Sequence, residues 1–396
     1  MAKKTEKKKL EKKNWISSFM LVGEAKVNDY TYKIDEKSEK SDWIYNHLNL
    51  GVDCGEKYGT VYSELMGGYG ADRDNVVYVH GKNEDGTDNF QDRFTVAWED
   101  RFDEDILQSV GSFCFLTVGL EKDKSGKVFY KKFLTPYDAI LYVQQHLESD
   151  MVVNVKGNLK YSIYNDNVMV KKEINSVVLS KIDDTSKYVA KFTQTMLLQK
   201  DSVGKPDRDR GIIPIYAKVL DYVKEINGVE VKGFVPFNKT FEYEVDLTNK
   251  ELVQKTIEKV FKVKKGVTEI TFEGDLIEGG AIITATEDDI PDDIKELIEI
   301  GAYTLDEALA KCTENTGREK RMVLRKPLIK MVGDDGQKVP VIQKFEQKYD
   351  DEDLLLDCLI KKEEPEEADD DDASFDVEDE DVFGDDDDDT DWLSKL

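Results

Sequence analysis

The sequence is poor in the residues that build metal and covalent sites. Its four cysteines, Cys54, Cys114, Cys312 and Cys358, stand far apart and form no CxxC pair. That argues against a thiolate zinc site and a disulfide scaffold, and it fits a reducing cytoplasm. His47, His80 and His146 are the only histidines, and none sits in HExxH spacing. Neither GxxxxGK[ST] nor GxSxG occurs, and Gly67-Gly68-Tyr69-Gly70 lacks the lysine and following helix of a phosphate loop. Acid pairs such as Asp288-Asp289 and Asp292-Asp293 read as caps and surface rather than as a cation site. No apolar run approaches the ~18–20 residues of a membrane span. Met1 to Lys13 is basic with no apolar segment behind it, so no secretory signal is expected. These absences lead us to expect a cytoplasmic protein that is not an enzyme and carries no metal or cofactor.

What the chain does have is acid, placed unevenly. Across 396 residues, 84 Asp+Glu oppose 56 Lys+Arg, a net charge of −28. Nineteen of the acids lie between Glu363 and Leu396 against a single lysine, so that segment carries −18 and leaves −10 for residues 1–362. Such a stretch cannot bury a core and reads as a disordered tail. The remainder, with 18 Tyr and 17 Phe, can. Its length predicts two or three domains.

The first 13 residues, with seven lysines and two glutamates, read as a mobile basic arm. From Trp15 the pattern becomes strands. Ile16 to Val27, Trp43 to Val52, Tyr58 to Leu65 and Val76 to His80 are rich in β-branched and aromatic residues, with Gly, Asn, Asp and Ser clusters between them. Gly67 to Gly70 and Gly81 to Asn89 read as loops. Ser112 to Leu120 and Lys127 to Leu134 flank a hairpin turn at Lys122 to Gly126. Thr135 then caps a helix with Pro136 in its first turn and an apolar stripe of Ile140, Tyr142, Val143 and Leu147. Met151 to Tyr164 and Val168 to Ser180 follow as two long strands.

A second run repeats this order. Tyr188 to Gln199, Ile212 to Glu225 and Val229 to Val245 read as strands. Leu247-Thr248 opens a helix, and Val267 to Ile277 is a further strand. Both helices lead into a strand of the form hydrophobic–x–hydrophobic–x–Gly–x–Leu, at Val153 to Leu159 and at Ile270 to Leu276. A glycine inside a strand marks a bulge or a barrel corner. We read a degenerate internal repeat of small β-barrels. Residues 291–314 read as helical, and 318–348 as basic and extended.

Residues 127–180 resemble the second half of bacterial and phage single-stranded-DNA-binding proteins, which runs strand, helix, a V-x-V-x-G-x-L strand and a returning strand. The resemblance is specific over those residues and loose from Trp15 to Gly126, where the chain is longer than the family's minimal barrel. Over 187–287 it is a pattern match only. The end of the chain resembles the family separately: an acidic stretch closes on Trp392-Leu393-Ser394-Lys395-Leu396. The bacterial proteins end in Pro-Phe instead, so a partner that reads their terminus need not read this one.

The resemblance implies a mainly β fold with minor α: tandem OB-like β-barrels, a small α/β segment and a disordered acidic C-terminal tail. We divide the chain into a basic arm (1–13), a first OB domain (14–183), a second, OB-like domain (184–288), a helical and extended segment (289–349) and the tail (350–396). The implied function is binding of single-stranded DNA in replication, recombination or repair, in a bacteriophage setting.

A sequence-tolerant binder needs rings for bases and cations for phosphates. Candidates on the first domain are Trp43, Tyr45, Phe129, Tyr130, Lys131, Lys132, Lys156, Lys160, Tyr161, Tyr164, Lys171 and Lys172. Tyr164 falls where the resembling family places a base-stacking aromatic. The second domain offers Lys205, Arg208 and Arg210, with Tyr216 and Tyr222 on the adjacent strand. Phe383, Trp392, Leu393 and Leu396 are candidate anchors for replication or recombination proteins. Taken singly, each tyrosine reads equally well as core or barrel rim, and each lysine as solvated strand face. Two other readings stand beside this one: an acidic chaperone or scaffold for basic proteins without nucleic-acid binding, and a virion protein built from β-barrels.

Overall fold

The computed structural model describes residues 8–164, 167–182, 184–226, 229–279, 320–333 and 338–355, with isolated positions between 290 and 309. Of the expected tail, residues 350–355 are ordered, with Leu354 buried beside Leu10 and Leu220, so its start at 350 is corrected. Residues 356–396, with the candidate anchors Phe383, Trp392, Leu393 and Leu396, and most of the helix read at 291–314 lie outside the described residues.

The chain is mainly β. In order, the first half runs β1 (Ser17–Lys26), β2 (Tyr32–Lys37), β3 (Trp43–Asp53), β4 (Thr60–Gly70), β5 (Val76–Lys82), β6 (Asp88–Ala97), α1 (Glu104–Ser109), β7 (Leu116–Lys122), β8 (Val128–Phe133), α2 (Pro136–His146), β9 (Val152–Tyr164) and β10 (Asn167–Leu179). Strand β1 pairs antiparallel with β3, β3 with β4, β10 with β9 and β9 with β1, while β4 meets β10 in parallel. These pairings close a ring in the order β1-β3-β4-β10-β9. Alternate residues of β3, Leu48, Leu50 and Val52, point into its core, with Val153, Val155 and Leu159 of β9. Helix α2 is capped by Thr135, whose side chain accepts from the Asp138 N–H, and it buries Ala139, Ile140 and Val143.

The second half repeats this topology with β11 (Val189–Leu198), β12 (Ile212–Ile226), β13 (Val229–Glu244), α3 (Lys250–Thr256), β14 (Val267–Glu278) and β15 (Lys320–Pro327), followed by β16 (Ile329–Val332), β17 (Val339–Ile342) and β18 (Lys344–Tyr349). Its ring is β11-β12-β13-β15-β14, again with one parallel contact, β13 to β15. Residues 320–327 therefore belong to the second barrel. The expected boundary at 288 leaves out the strand that closes it, because long-range pairing places a segment whose own pattern is too short to read.

The repeated glycines have one job in both barrels. A Cβ on Gly157 would sit 1.9 Å from the Glu173 carbonyl oxygen and 2.7 Å from the Phe19 ring; on Gly274 it would sit 2.4 Å from the Val323 carbonyl oxygen and 2.4 Å from the Phe192 ring. Each glycine lets the fourth and fifth strands approach at a bulge, under a phenylalanine from the first strand.

Phe19 and Phe192 also face each other where β1 pairs antiparallel with β11. Equivalent residues meeting in an antiparallel pair are what a local two-fold produces, and the pairing merges both rings into one 14-stranded sheet. Buried polar contacts cross the junction. Lys172 on β10 pairs with Glu278 on β14, and both side chains are 8% exposed. The second carboxylate oxygen of Glu278 accepts the Tyr62 N–H at 3.2 Å. Asp221 on β12 accepts the Tyr161 N–H at 2.8 Å and the Lys12 ammonium at 2.8 Å.

Two further expectations need correction. The arm is not mobile throughout: residues 8–13 are docked on the second barrel, where Leu10 is buried with Leu220 and Leu354, and the Lys8 N–H donates to Asp353. Residues 1–7 lie outside the described residues. Gly67 to Gly70 are the end of β4 rather than a loop, paired with Asn46 to Trp43. A Cβ on Gly68 would lie 2.0 Å from the Ile44 carbonyl oxygen, so glycine here serves strand approach. Among the described residues no helix is long and apolar enough to cross a membrane.

Candidate nucleic-acid interface

On β3 the residues opposite in parity to the core positions face outward. Trp43 and Tyr45 stack there, with ring centroids 4.9 Å apart and planes 19° apart. Their neighbours on β4 are Gly70 and Gly68, which carry no side chain, while on β2 Glu36 lies opposite Tyr45. The same outward row continues through His47 to Glu64 at 3.7 Å, and from Glu64 to Lys171 at 2.9 Å. Hydrogen bonding to His47, reinforced by Lys171, pulls the Glu64 carboxyl down to about 2. Trp43, Tyr45 and Lys171 thus lie on one band across β3, β4 and β10, but the Lys171 charge is already paired.

The second barrel presents the equivalent strand. Ile213, Ile215, Ala217 and Val219 of β12 fill the core, so Tyr216, Lys218, Tyr222 and Lys224 face out. Tyr216 and Tyr222 are each 51% exposed. Tyr222 meets Phe234 of β13 edge to face, at 5.9 Å and 80°. Lys12 from the arm lies over the Phe234 ring at 5.8 Å, and the Lys160 charge adds to the burial that lowers the Lys12 ammonium from its ordinary value. Lys160 of the first barrel and the ring pair of the second therefore share a neighbourhood. Burial likewise lowers Lys218, whose ammonium donates to Asn238 at 2.8 Å.

The loop from 205 to 210 adjoins this face, since Gly204 is packed against the Tyr216 ring. Lys205 and Arg208 are exposed, and Asp207 folds the loop by accepting the Asp209 and Arg210 N–H groups. Arg210 reaches Glu242 at 3.5 Å, so its charge is partly spent within the barrel.

Other candidates are placed elsewhere. Phe129, Tyr130, Lys131 and Lys132 are all exposed, but they line β8, the far edge of the sheet beyond β7. Lys131 lies 4.4 Å over the Tyr142 ring and Lys132 5.5 Å over Phe115. Lys156 sits at the barrel junction with Lys191, around a cavity of about 440 Å³ lined also by Phe19 and Phe192.

Two candidates are corrected outright. Tyr161 is 4% exposed and its hydroxyl donates to Gln194 at 2.9 Å; full burial raises its hydroxyl well above the ordinary tyrosine value. Its parity on β9 is that of Val155 and Leu159, so it belongs to the core. Lys172 is the buried partner of Glu278 and has no surface for a phosphate. Tyr164 closes β9, but its side chain lies outside the described residues.

Several residues escaped the sequence reading. Phe234 and Lys12 join the second face only through cross-strand register and a docked arm, neither of which leaves a local pattern. Tyr69, Trp98 and Tyr137 form a ring cluster with centroids 5.3 to 5.9 Å apart, and Arg101 packs 4.3 Å over Trp98 while pairing with Asp138 at 2.8 Å. This cluster fastens the segment after β6 to the start of α2. The dispersed rings gave no signal of it.

No family model matches the chain. A search of curated proteins finds no match either. Among solved structures, the crystal structure of wild-type single-stranded DNA binding protein from Thermus aquaticus is similar over 67% of this chain and 86% of its own, at 9% identity and a TM-score of 0.28. At that score and identity the likeness says nothing about what this chain does.

Proposed function

We propose that the protein binds single-stranded DNA along the outward faces of β3 and β12. The observation that carries this is the placement of outward rings on the equivalent strand of each barrel: Trp43 and Tyr45 on one, Tyr216 and Tyr222 beside Lys218 on the other. Rings on a pleated face offer bases a stacking surface worth about 1–3 kcal/mol each, and lysines beside them offer phosphates a salt-sensitive attraction. Lys160, Lys205 and Arg208 extend the cationic part. We read the protein as a binder rather than an enzyme. In this reading it works in the cytoplasm, in phage replication or recombination, and engages partner proteins through Trp392, Leu393 and Leu396.

Titration with oligo-dT, followed by tryptophan fluorescence, tests it. We expect quenching that weakens as salt rises, with a log–log slope of about −0.7 for each phosphate neutralised. Removing residues 363–396 should tighten binding, since a segment of −18 competes for the same cations. Absence of binding by the shortened protein at low salt would reject the reading.

A further inference from the structure

The hairpin inserted after β4 holds a cluster that nucleic-acid binding does not use. Cys114 Sγ lies 3.2 Å from His80 Nδ1, and His80 Nε2 lies 2.7 Å from Asp88 Oδ1. The three come from separate places: His80 from β5, Asp88 from the start of β6, and Cys114 from the turn Ser112–Cys114 before β7. The arrangement is tied at both ends. Asp88 Oδ1 also accepts the Phe113 N–H at 3.0 Å, and the His80 carbonyl accepts the Gly111 N–H at 2.7 Å. The His80 backbone N–H points at the sulfur, 3.4 Å away. Gly111 is what permits this closeness: a Cβ there would stand 2.5 Å from His80 Nε2 and 2.4 Å from Asp88 Oδ1.

A thiol beside an imidazole that is itself oriented by a carboxylate is the pattern of an activated sulfur nucleophile. Asp88 accepts from Nε2–H, which leaves Nδ1 to take the proton of the thiol. The resulting sulfur faces Nδ1–H and the His80 backbone N–H, two donors suited to an anion. The Phe113 N–H, with His80, holds the Asp88 carboxyl below its ordinary value, so it keeps its charge for the ring. Lys82 and Arg93 are the cations facing this group, from β5 and β6, and Asp92 adds one further carboxylate against Gly81. Cys114 is half-buried, and His80 lines a cavity of about 600 Å³ with Tyr78, Phe90 and Arg93, room for a small molecule beside the ring.

We propose that Cys114 is an activated thiol, oxidised by small hydroperoxides to a sulfenic acid with His80 as the proton carrier. The thiol proton passes to His80 Nδ1 and the sulfur attacks one peroxide oxygen. The S–O bond forms as the O–O bond breaks, and the leaving oxygen takes the proton from His80 and departs as water or an alcohol. Sulfur loses two electrons and the peroxide gains them. Asp88 is the positioning residue. Nothing in this depends on whether the protein binds DNA.

The test is iodoacetamide labelling of the full-length protein at pH 6.5, resolved by peptide mass spectrometry, folded and in urea. A free thiol is about 1% ionised at that pH. The donors around the sulfur favour the thiolate while its nucleophilicity falls somewhat, so we expect Cys114 to label about fivefold faster in the folded protein. Cys54 is the internal control, because burial pushes its thiol up to about 12 and the fold should protect it. H80Q should bring Cys114 to the unfolded rate or below, and D88N to an intermediate rate. Hydrogen peroxide followed by dimedone should tag Cys114 in the wild type and not in H80Q. A folded rate at or below the unfolded one, a wild-type rate in H80Q, or no dimedone adduct on Cys114 would each overturn the proposal.

Discussion

The two barrels share a strand order and differ in what covers their outer faces. On the first, the ring stack of Trp43 and Tyr45 lies beside glycines, and the nearby Lys171 is held by Glu64. On the second, the arm crosses the face: Leu10 packs on Leu220, and Lys12 spans Asp221 and Phe234. One face therefore offers rings with few uncommitted cations. The other gains Lys12 from the arm, itself held by Asp221, and Lys160 from its neighbour. Duplicated topology thus fixes where a face lies, while later contacts decide its charge. The two faces are joined by β1 and β11, so the comparison can be disturbed either at the junction or on the faces.

The largest disturbance is at the junction. Lys172 and Glu278 are both nearly water-free. Removing one partner strands a charge, which costs about 3–5 kcal/mol, whereas replacing both with apolar side chains is often neutral. K172M should therefore lower the denaturant midpoint sharply, and K172M/E278L should recover most of it. If the double variant is no better than the single, the pair contributes something other than charge compensation.

Next come the rings. W43A and Y222A should each weaken oligo-dT binding by about 1–3 kcal/mol, roughly 5- to 150-fold. Sharing no partner, they should add within about 0.5 kcal/mol when combined. A variant that binds like the wild type would assign the whole site to the other barrel. K218A should leave stacking intact and flatten the salt slope by about 0.7.

How much of this could be read beforehand follows from what each residue depends on. The repeat was legible because Gly157 and Gly274 answer to local geometry, a bulge under a phenylalanine. Trp43 and Tyr45 were legible because strand alternation alone turns them out. Tyr161 was legible by the same alternation and was misread: it shares the parity of Val153, Val155 and Leu159, while Lys156 and Lys160 hold the outward parity, so its ring falls in the core. Lys172 looked like its neighbour Lys171 because the residue that buries it, Glu278, arrives from the other barrel. The closing strand β15 and the docked arm were missed for the same reason, since both are placed by partners far away in sequence.

The smallest effect is carried by Glu64, and its sign can be worked out. Its folded value of about 2 lies below the ~4.3 of an unfolded glutamate, so the folded state favours the charged form. The stabilisation is complete above ~4.3 and is lost as pH falls from there toward 2. Because Glu64 and Lys171 are partly solvated, we expect under about 1 kcal/mol at neutral pH. The melting temperatures of the wild type and E64Q should therefore differ slightly at pH 6 and converge progressively as pH falls from about 4 toward about 2; a gap that stays constant would mean the carboxylate is not held by its cations. The same substitution bears on the two faces, because it frees Lys171 beside the ring stack. E64Q should then steepen the salt dependence of oligo-dT binding by about 0.7, making the first face more like the second, and an unchanged slope would place the DNA path away from β10.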